Sequence, residues 1–416
     1  MPPGAPRAVV VLSGNELLDG RTRDTNGSFA TADLSRRGAK VLEVITVADE
    51  RSLLAGALRH ALELSPDVLL VGGGLGTTHD DLTAECLAEV LGAALEEHPD
   101  ALAMLEERVR ALAERRRLDV GATLALARRQ ARLPSGAVPL PPAGVAPGIA
   151  ARAGDVRIFA VPGVPWEFEQ MWLEAAAGLE RDGLFPDVVV RTVRIHGAGE
   201  LQVGRVVDAL AHDRVELGVN VGGGEVTVLI RHRRDPGAQE QADALVAALE
   251  QAVPVYSTDG RTVDDIVAGE LRARGATLAV AESCTGGLLG ARLTSRPGSS
   301  DYFAGGVISY ADQAKMDLLD VPPGMLAQYG AVSEPVAGAM AEGARAALRT
   351  DYGLSVTGIA GPGGGSDEKP VGLVFFACAG PEGTTVRTGT FPGDRGSVRE
   401  FTTAAALHLL RRTLGR

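Results

Sequence analysis

The sequence predicts an α/β protein with two α/β sheet domains joined by a small α+β segment. Three observations carry this. The chain has 416 residues, more than one hydrophobic core serves, and its 45% of hydrophobic residues suffice for a core in each of two or three domains. Short apolar runs alternate with helix-length amphipathic runs near both ends, the pattern of strand-helix-strand units around a parallel sheet. Apolar runs at both ends also lead into glycine turns, Gly72-Gly73-Gly74-Leu75-Gly76 and Gly286-Gly287, where ligands collect at the carboxyl ends of parallel strands.

In chain order, residues 8–12 (Ala-Val-Val-Val-Leu) read as the first strand. Asn26 is the expected N-cap of a helix that Gly38 ends, and Val41 to Val47 form a second strand. Asp49 opens a helix to about Glu63, and Asp67 to Val71 make a third strand that runs into Gly72 to Thr83. That glycine stretch is not the dinucleotide fingerprint, which would need glycine where Thr77 stands, and no phosphate-loop motif ending in Gly-Lys occurs. Its glycines instead let a phosphate or pterin approach backbone N–H groups. Asp80 and Asp81 are read either as metal ligands or acid/base groups, or as the start of the helix running to Leu91. His79 is read either as joining a metal site with Asp80 or as a solvated loop residue. Pro99 to Arg117 is an expected structural helix, and Arg132 to Gly148 a proline-rich loop.

A separate piece follows, with a strand from Asp187 to Ile195, a helix from Leu201 to Leu210, a strand from Glu225 to Arg231 and a helix from Gln239 to Gln251. Pro254 to Gly260 is the expected junction, and Thr262 caps a helix from Val263 to Arg274. The buried strand Ala276 to Val280 then enters Ala281-Glu282-Ser283-Cys284-Thr285-Gly286-Gly287, before a helix from Leu288 to Leu293. Ser333 and Pro335 open a helix reaching Leu348, Val371 to Cys378 and Thr384 to Gly389 are adjacent strands, and Ser397 starts the last helix. The loops at Ser283, Tyr310 and Thr357 follow apolar strands and are expected on one face.

A strand-to-helix turn lifts a hydroxyl above the sheet edge, and N–H groups of Thr285, Gly286 and Gly287 at the helix start suit a developing oxyanion. That is acyl-transfer geometry with two adjacent nucleophiles, Ser283 and Cys284. Each needs a base, and beyond residue 232 the one histidine, His408, lies inside a helical run. Among 41 lysines and arginines only Lys40, Lys315 and Lys369 are lysines. Arginine serves wherever charge suffices but cannot deprotonate near neutral pH, so Lys315 and Lys369 stand out as candidate bases, against chance placement.

Net charge of −12 disfavours nucleic acid and anionic membranes and favours small-molecule ligands. Cys86, Cys284 and Cys378 lack any C-x-x-C spacing, which suits a reducing cytoplasm. The first residues, Met1 to Arg7, lack the apolar core of a signal peptide, and no stretch of about 18 apolar residues appears.

Residues Ala281 to Gly287, then Pro297-Gly298-Ser299-Ser300-Asp301-Tyr302-Phe303, Gly330-Ala331-Val332-Ser333-Glu334, Thr357 to Gly364 and Glu368-Lys369-Pro370-Val371-Gly372 resemble, in order, the CinA C-terminal domain. That family comprises nicotinamide-nucleotide amidohydrolases, which convert nicotinamide mononucleotide to nicotinic acid mononucleotide and ammonia without a cofactor. The resemblance puts the nucleophile at Ser283 and the base at Lys315, within Tyr310-Ala311-Asp312-Gln313-Ala314-Lys315, and leaves Cys284 as a packing residue. This chain has Ala311 and Asp312 where the family pattern has Ser and Asn. Tyr310 is expected either to hydrogen-bond the Ser–Lys pair or to sit in the core. Gly393-Asp394-Arg395 resembles a family Gly-Asp-Arg, so Arg395 binds the substrate phosphate or pairs with Asp394. Thr357, Gly358 and Gly361 are expected at the substrate, and Lys369 is a ligand contact or an ordinary loop residue.

Gly14 to Gly20, Asp24-Thr25-Asn26, Gly72 to Thr83 and Val161 to Phe168 resemble the molybdopterin-binding-type N-terminal domain of the same family. The resemblance implies ligand contacts from Glu16, Asp24, Asn26, Gly73, Gly74, Gly76 and Thr78, with Asp80 and Asp81 at a divalent metal for ADP-ribose cleavage. Gly72, Thr77, Asn15 and the stretch before Ala146-Pro147-Gly148 depart from the pattern, so a non-catalytic nucleotide- or pterin-binding module is the alternative, as is a competence-associated interaction partner. The middle piece resembles the family's KH-like domain. It lacks a G-x-x-G clamp for nucleic acid and reads as a spacer or a homodimer-forming element. The expected domains are 1–180, 185–253 and 256–416.

Overall fold

The computed structural model describes residues 5–185, 188–210 and 213–415. Strands Arg7–Ser13 and Val68–Gly72 are buried on both faces because successive side chains point to opposite sides and helices cover each side. Val9, Val11, Leu69 and Val71 pack against Leu54, Leu58 and Leu105 on one side. Val10, Leu12 and Leu70 pack against Leu34, Phe168 and Trp172 on the other. The sheet has six strands in the order Lys40–Val47, Arg7–Ser13, Val68–Gly72, Val156–Val161, Gly148–Ala153, Val138–Leu140. The first four are parallel, as expected, and the last two run antiparallel.

Three local readings are corrected here. Asn26 does not cap its helix: it is the first residue of helix Asn26–Arg36, and the Gly27 N–H donates to Asp24 Oδ1 at 2.8 Å. A carboxylate is the better acceptor, and Asp24 reaches that N–H three residues on. The helix expected from Asp49 begins at Arg51, because the Asp49 carboxylate is engaged by Ser13 Oγ and by the Asn15 N–H. The stretch Arg132 to Gly148, expected as a loop, holds strands Arg132–Pro134 and Val138–Leu140, each paired antiparallel to a neighbour.

The chain forms two compact units, Met1–Val190 with Arg231–Ala238 and Arg191–Ile230 with Gln239–Arg416. Most of the expected middle domain thus groups with the C-terminal residues. Its sheet has the order Val215–Gly222, Glu225–Arg233, Val188–His196, Val255–Ser257; the expected start at Asp187 lies outside the described residues. The expected junction is therefore partly a strand, with Val255 and Ser257 paired antiparallel to Ile195 and Arg194.

Within this unit a buried polar cluster ties the middle sheet to the last helix, Arg395–Leu414. His408 Nε2 bonds Glu225 Oε1 at 2.7 Å, the Tyr256 hydroxyl donates to Glu225 Oε2 at 2.6 Å, and the His196 ring stacks on His408 at 3.7 Å. Burial, with the His408 charge beside it, pushes the His196 imidazole down to about 3, and burial also lowers His408.

The C-terminal sheet has five strands in the order Phe303–Ile308, Leu278–Glu282, Tyr352–Gly358, Leu373–Gly380, Gly383–Thr390. The first three are parallel, so their carboxyl ends, and with them the loops at Ser283, Tyr310 and beyond Thr357, lie at one edge. Leu278 and Val280 face helices Val263–Arg274 and Arg395–Leu414, whereas Ala279 and Ala281 face helices Asp312–Leu319 and Glu334–Leu348. Thr262 and Asp265 form a reciprocal capping box on the first of these helices. The hydroxyl of Ser333, expected as a cap, donates backward to Gly330 O at 2.8 Å instead. The last helix starts at Arg395, two residues before the expected Ser397, because Asp394 Oδ1 accepts the Ser397 N–H at 2.8 Å. No helix among the described residues is long and apolar enough to cross a membrane.

Candidate active site

Strand Leu278–Glu282 ends in a turn whose left-handed residues, Gly286 (φ 58°) and Gly287 (φ 96°), bring the chain sharply into helix Leu288–Thr294. The turn is pinned by hydrogen bonds from the Ser283 N–H to Val356 O and from the Gly286 N–H to Ser283 O, each 3.1 Å. Ser283 Oγ makes no hydrogen bond to the described residues; the residue lies just past the carboxyl end of an interior strand and is buried, 9% exposed.

The helix start is already occupied by a carboxylate that the sequence reading did not single out. Glu282, 1% exposed, accepts the N–H groups of Gly287 (3.0 Å), Leu289 (3.0 Å) and Gly290 (2.8 Å). A buried carboxylate needs such donors, and a helix N-terminus has them to spare. Gly286 and Gly287 are therefore corrected as oxyanion donors: the first serves Ser283 O and the second Glu282. The N–H groups of Cys284 and Thr285 remain without a partner among the described residues. Burial pushes the Cys284 thiol up to about 11, which fits a packing residue.

Lys315 is fully buried. Its Nζ donates to Ser309 O (3.0 Å), Tyr310 O (3.2 Å) and Asp312 Oδ1 (3.4 Å), and among the described residues no hydrogen bond joins it to Ser283. Tyr310 is neither in the core nor on a Ser–Lys pair: it is 62% exposed and its hydroxyl accepts from Arg395 Nη2 at 3.0 Å. Arg395 also donates to Gly361 O at 2.8 Å. Its expected partner Asp394 is the helix cap, so Arg395 has no carboxylate partner among the described residues.

One helical turn on, Arg399 donates to Thr285 O at 2.6 Å and likewise lacks a carboxylate partner among the described residues. The sequence did not single it out; its i+4 spacing from Arg395 is the signal that could have. Ile308, Tyr310 and Val371 are exposed apolar side chains of this region, with Ile308 beside Gly287 and Val371 beside Gly361.

Two expected substrate contacts are structural instead. The buried Thr357 hydroxyl donates to Ala331 O at 2.9 Å. Gly358 has no room for a side chain, since a Cβ there would lie 2.6 Å from Val374 Cγ2. Lys369 clips its loop, donating to Tyr329 O (2.8 Å) and Val332 O (2.7 Å). The hydroxyls of Thr285 and Ser309 are buried and unpartnered among the described residues.

The N-terminal unit has a cleft of about 570 Å³ at the carboxyl ends of its parallel strands. Every residue expected there lines it: Glu16, Asp24, Asn26, Gly73, Gly74, Gly76, Thr78, Asp80 and Asp81. The Gly74, Leu75 and Gly76 N–H groups have no partner among the described residues. Asn26 Nδ2 donates to Gly163 O (2.7 Å) and Gln130 Nε2 to Leu75 O (2.8 Å). Those carbonyls fix both amides, and Asn26 Oδ1, Gln130 Oε1 and Asp80 Oδ1 are left as buried acceptors without a partner among the described residues. Gln130 was not legible in the sequence, where it stands in an arginine-rich run. Asp81 Oδ2 is held by the Thr78 N–H at 2.8 Å and hydroxyl at 2.5 Å. The same hydroxyl, with nearby backbone, keeps the Asp80 carboxyl below its ordinary range. Burial raises Glu167, and His79 is exposed. Among the described residues no group of three or more His, Cys, Asp or Glu is placed to hold a metal ion.

Residues 260–414 match the CinA C-terminal domain, and residues 9–180 match the family described as "Probable molybdopterin binding domain". The chain is similar to a CinA-like protein of Mycolicibacterium gilvum (strain PYR-GCK), 40% identical over 98% of each chain. It is also similar to a CinA-like protein of Mycobacterium sp. (strain MCS), 38% identical over 98% of this chain and 99% of that protein. Among solved structures, competence damage-inducible protein A of Klebsiella pneumoniae is 36% identical and covers 37% of this chain and 96% of its own, with a TM-score of 0.36. The chain belongs to the CinA family.

Proposed function

We propose that this member of the CinA family is an amidohydrolase that converts nicotinamide mononucleotide to nicotinic acid mononucleotide and ammonia at the Ser283 turn. The observation that carries the reading is a serine hydroxyl without a partner among the described residues at the carboxyl end of a strand, beside two N–H groups and near two guanidinium groups that likewise lack, respectively, any partner and a carboxylate partner among those residues. Ser283 Oγ attacks the carboxamide carbon, and the Cys284 and Thr285 N–H groups receive the oxyanion. Lys315, having first lost one of its three protons to solvent, accepts the serine proton and returns it to the departing ammonia. Arg395 and Arg399 hold the substrate phosphate, and Ile308, Tyr310 and Val371 offer apolar surface to the pyridine ring. The reaction needs no cofactor. Buried free cysteines and net acidity suit a cytoplasmic setting, and the middle sheet is the element we assign to homodimer formation. Incubating the full chain with nicotinamide mononucleotide and assaying ammonia tests the reading: release that disappears in Ser283→Ala supports it, and no release from the parent chain ends it.

A second activity, cleavage of ADP-ribose in the N-terminal cleft, is favoured by the pairing of unused N–H groups with buried orphan acceptors around Gly74. The N–H groups suit phosphate oxygens and the acceptors suit sugar hydroxyls. Asp80, with its orphan Oδ1, and Asp81 would hold a divalent ion together with the ligand's own diphosphate, because two carboxylates and phosphate oxygens are an ordinary magnesium environment. Such an ion supplies charge neutralisation.

A further inference from the structure

Lys315 and Ser283 are the proposed base and nucleophile, yet no hydrogen bond joins them among the described residues. One residue is bonded toward both. The Ser309 carbonyl accepts from Lys315 Nζ at 3.0 Å, and the Ser309 N–H donates to Glu282 O at 2.8 Å, one residue before the nucleophile. Ile308 is the register partner of Glu282, so Ser309 and Ser283 are neighbours just past the ends of adjacent parallel strands.

Side-chain alternation puts them on one face. Ala279, Ala281 and Val307 face helices Asp312–Leu319 and Glu334–Leu348, and one more step of the same alternation brings Ser283 and Ser309 to the side from which Lys315 enters. Ile308, of opposite parity, is 56% exposed, while Ser309 is 0% exposed. The Ser309 hydroxyl has no partner among the described residues. Leaving a buried hydroxyl unpaired is unfavourable, so a serine that only filled space here would be worse than alanine. Thr285 carries the other buried orphan hydroxyl of this region, but it has no bond to Lys315 or its carbonyl partners.

We propose that Ser309 is a catalytic proton relay between Ser283 and Lys315, a role that rests on the amidohydrolase reading. As Ser283 Oγ bonds the carboxamide carbon, its proton passes to Ser309 Oγ while the Ser309 proton passes to the Lys315 nitrogen, which has first given one proton to solvent. The ammonium then returns a proton through Ser309 Oγ to the nitrogen as the carbon–nitrogen bond breaks and ammonia leaves. Water hydrolyses the acyl-serine with the same two transfers, and Ser283, Ser309 and Lys315 end as they began. The relay requires the Ser309 hydroxyl to come within hydrogen-bond reach of both groups, since it has no partner among the described residues at rest.

The test is steady-state deamidation of nicotinamide mononucleotide by the full chain, with proton inventories in mixed H2O and D2O. Ser309→Ala is expected to lower kcat by about 10²-fold with KM little changed, the scale of losing acid–base assistance. Ser309→Thr, which restores a hydroxyl, is expected to recover most of it. The parent chain is expected to give a curved inventory from more than one moving proton, and Ser309→Ala a linear one. Ser309→Ala is also expected to melt no lower than the parent, since it removes an unpaired hydroxyl. Parent-like kcat in folded Ser309→Ala overturns the relay while leaving the amidohydrolase reading intact, and so does a folded Ser309→Thr no better than Ser309→Ala. If the parent releases no ammonia, the amidohydrolase reading fails and takes the relay with it.

Discussion

The two clefts use their polar groups in opposite ways. At the Ser283 turn nearly every strong group is committed inside the protein: Glu282 holds three N–H groups, Lys315 holds two carbonyls and a carboxylate, and Arg399 holds Thr285 O. In the N-terminal cleft Asn26 Oδ1, Gln130 Oε1, Asp80 Oδ1 and the N–H groups of the glycine loop stay uncommitted among the described residues. Covalent chemistry rewards a nucleophile held still by its surroundings, whereas a recognition cleft keeps donors and acceptors in reserve for the ligand.

The sharpest way to break this contrast is at the nucleophile. Ser283→Ala is expected to lower deamidation by roughly 10⁴-fold or more, while Cys284→Ala keeps it. An active serine variant with a dead cysteine variant would reverse the assignment. Next in size is Lys315→Arg, expected to cost roughly 10²–10⁴-fold in kcat because a guanidinium cannot take the proton. Near-normal kcat would reduce Lys315 to a clip for the Ser309-Tyr310 backbone.

Glu282→Gln probes the commitment itself. It removes the buried charge that three N–H groups solvate, and a loss of about 1–3 kcal/mol is expected in denaturant titrations, with a lower kcat. Unchanged stability means the carboxylate does not hold the turn. In the N-terminal cleft the effects fall on affinity instead: Gln130→Ala is expected to weaken ADP-ribose binding about tenfold by calorimetry, about 1.4 kcal/mol, with folding unchanged. Equal affinity in parent and variant would remove Gln130 from the ligand.

The smallest expected effect is a pH slope away from both clefts. His196 binds protons in the unfolded chain near its ordinary 6.5 but in the folded chain only near about 3, so the folded state takes up fewer protons between those values. Stability is therefore full above about pH 6.5 and declines as pH falls toward 3, and the lowered His408 adds to the slope. His196→Phe keeps a stacked ring without the titration and is expected to flatten the dependence of melting temperature on pH; an unchanged slope would place its origin elsewhere. Glu225, Tyr256, Arg194, Arg411 and Arg412 face the stack, and their charges set how steep the decline is.

Local pattern fixed what depends on neighbours in sequence. The apolar runs Ala8 to Leu12 and Ala276 to Val280 announced buried strands, the glycines after them announced the two turns, and the scarcity of lysine singled out Lys315 and Lys369. Element ends and hydrogen-bond partners were not legible in the same way. Asp24 takes the Gly27 N–H while the Asn26 amide goes to Gly163 O, and Ser333 turns its hydroxyl backward, because short polar side chains have several backbone groups within reach. The groups that complete the candidate site meet across more than a hundred residues, as when Arg399 reaches Thr285 O. Tyr310 likewise finds Arg395 instead of Ser283. Only the packing of the last helix against the sheet chooses those partners. A carboxylate beside a serine reads in sequence as ordinary polarity; burying it to 1% exposure under a helix start is what commits Glu282 to three N–H groups.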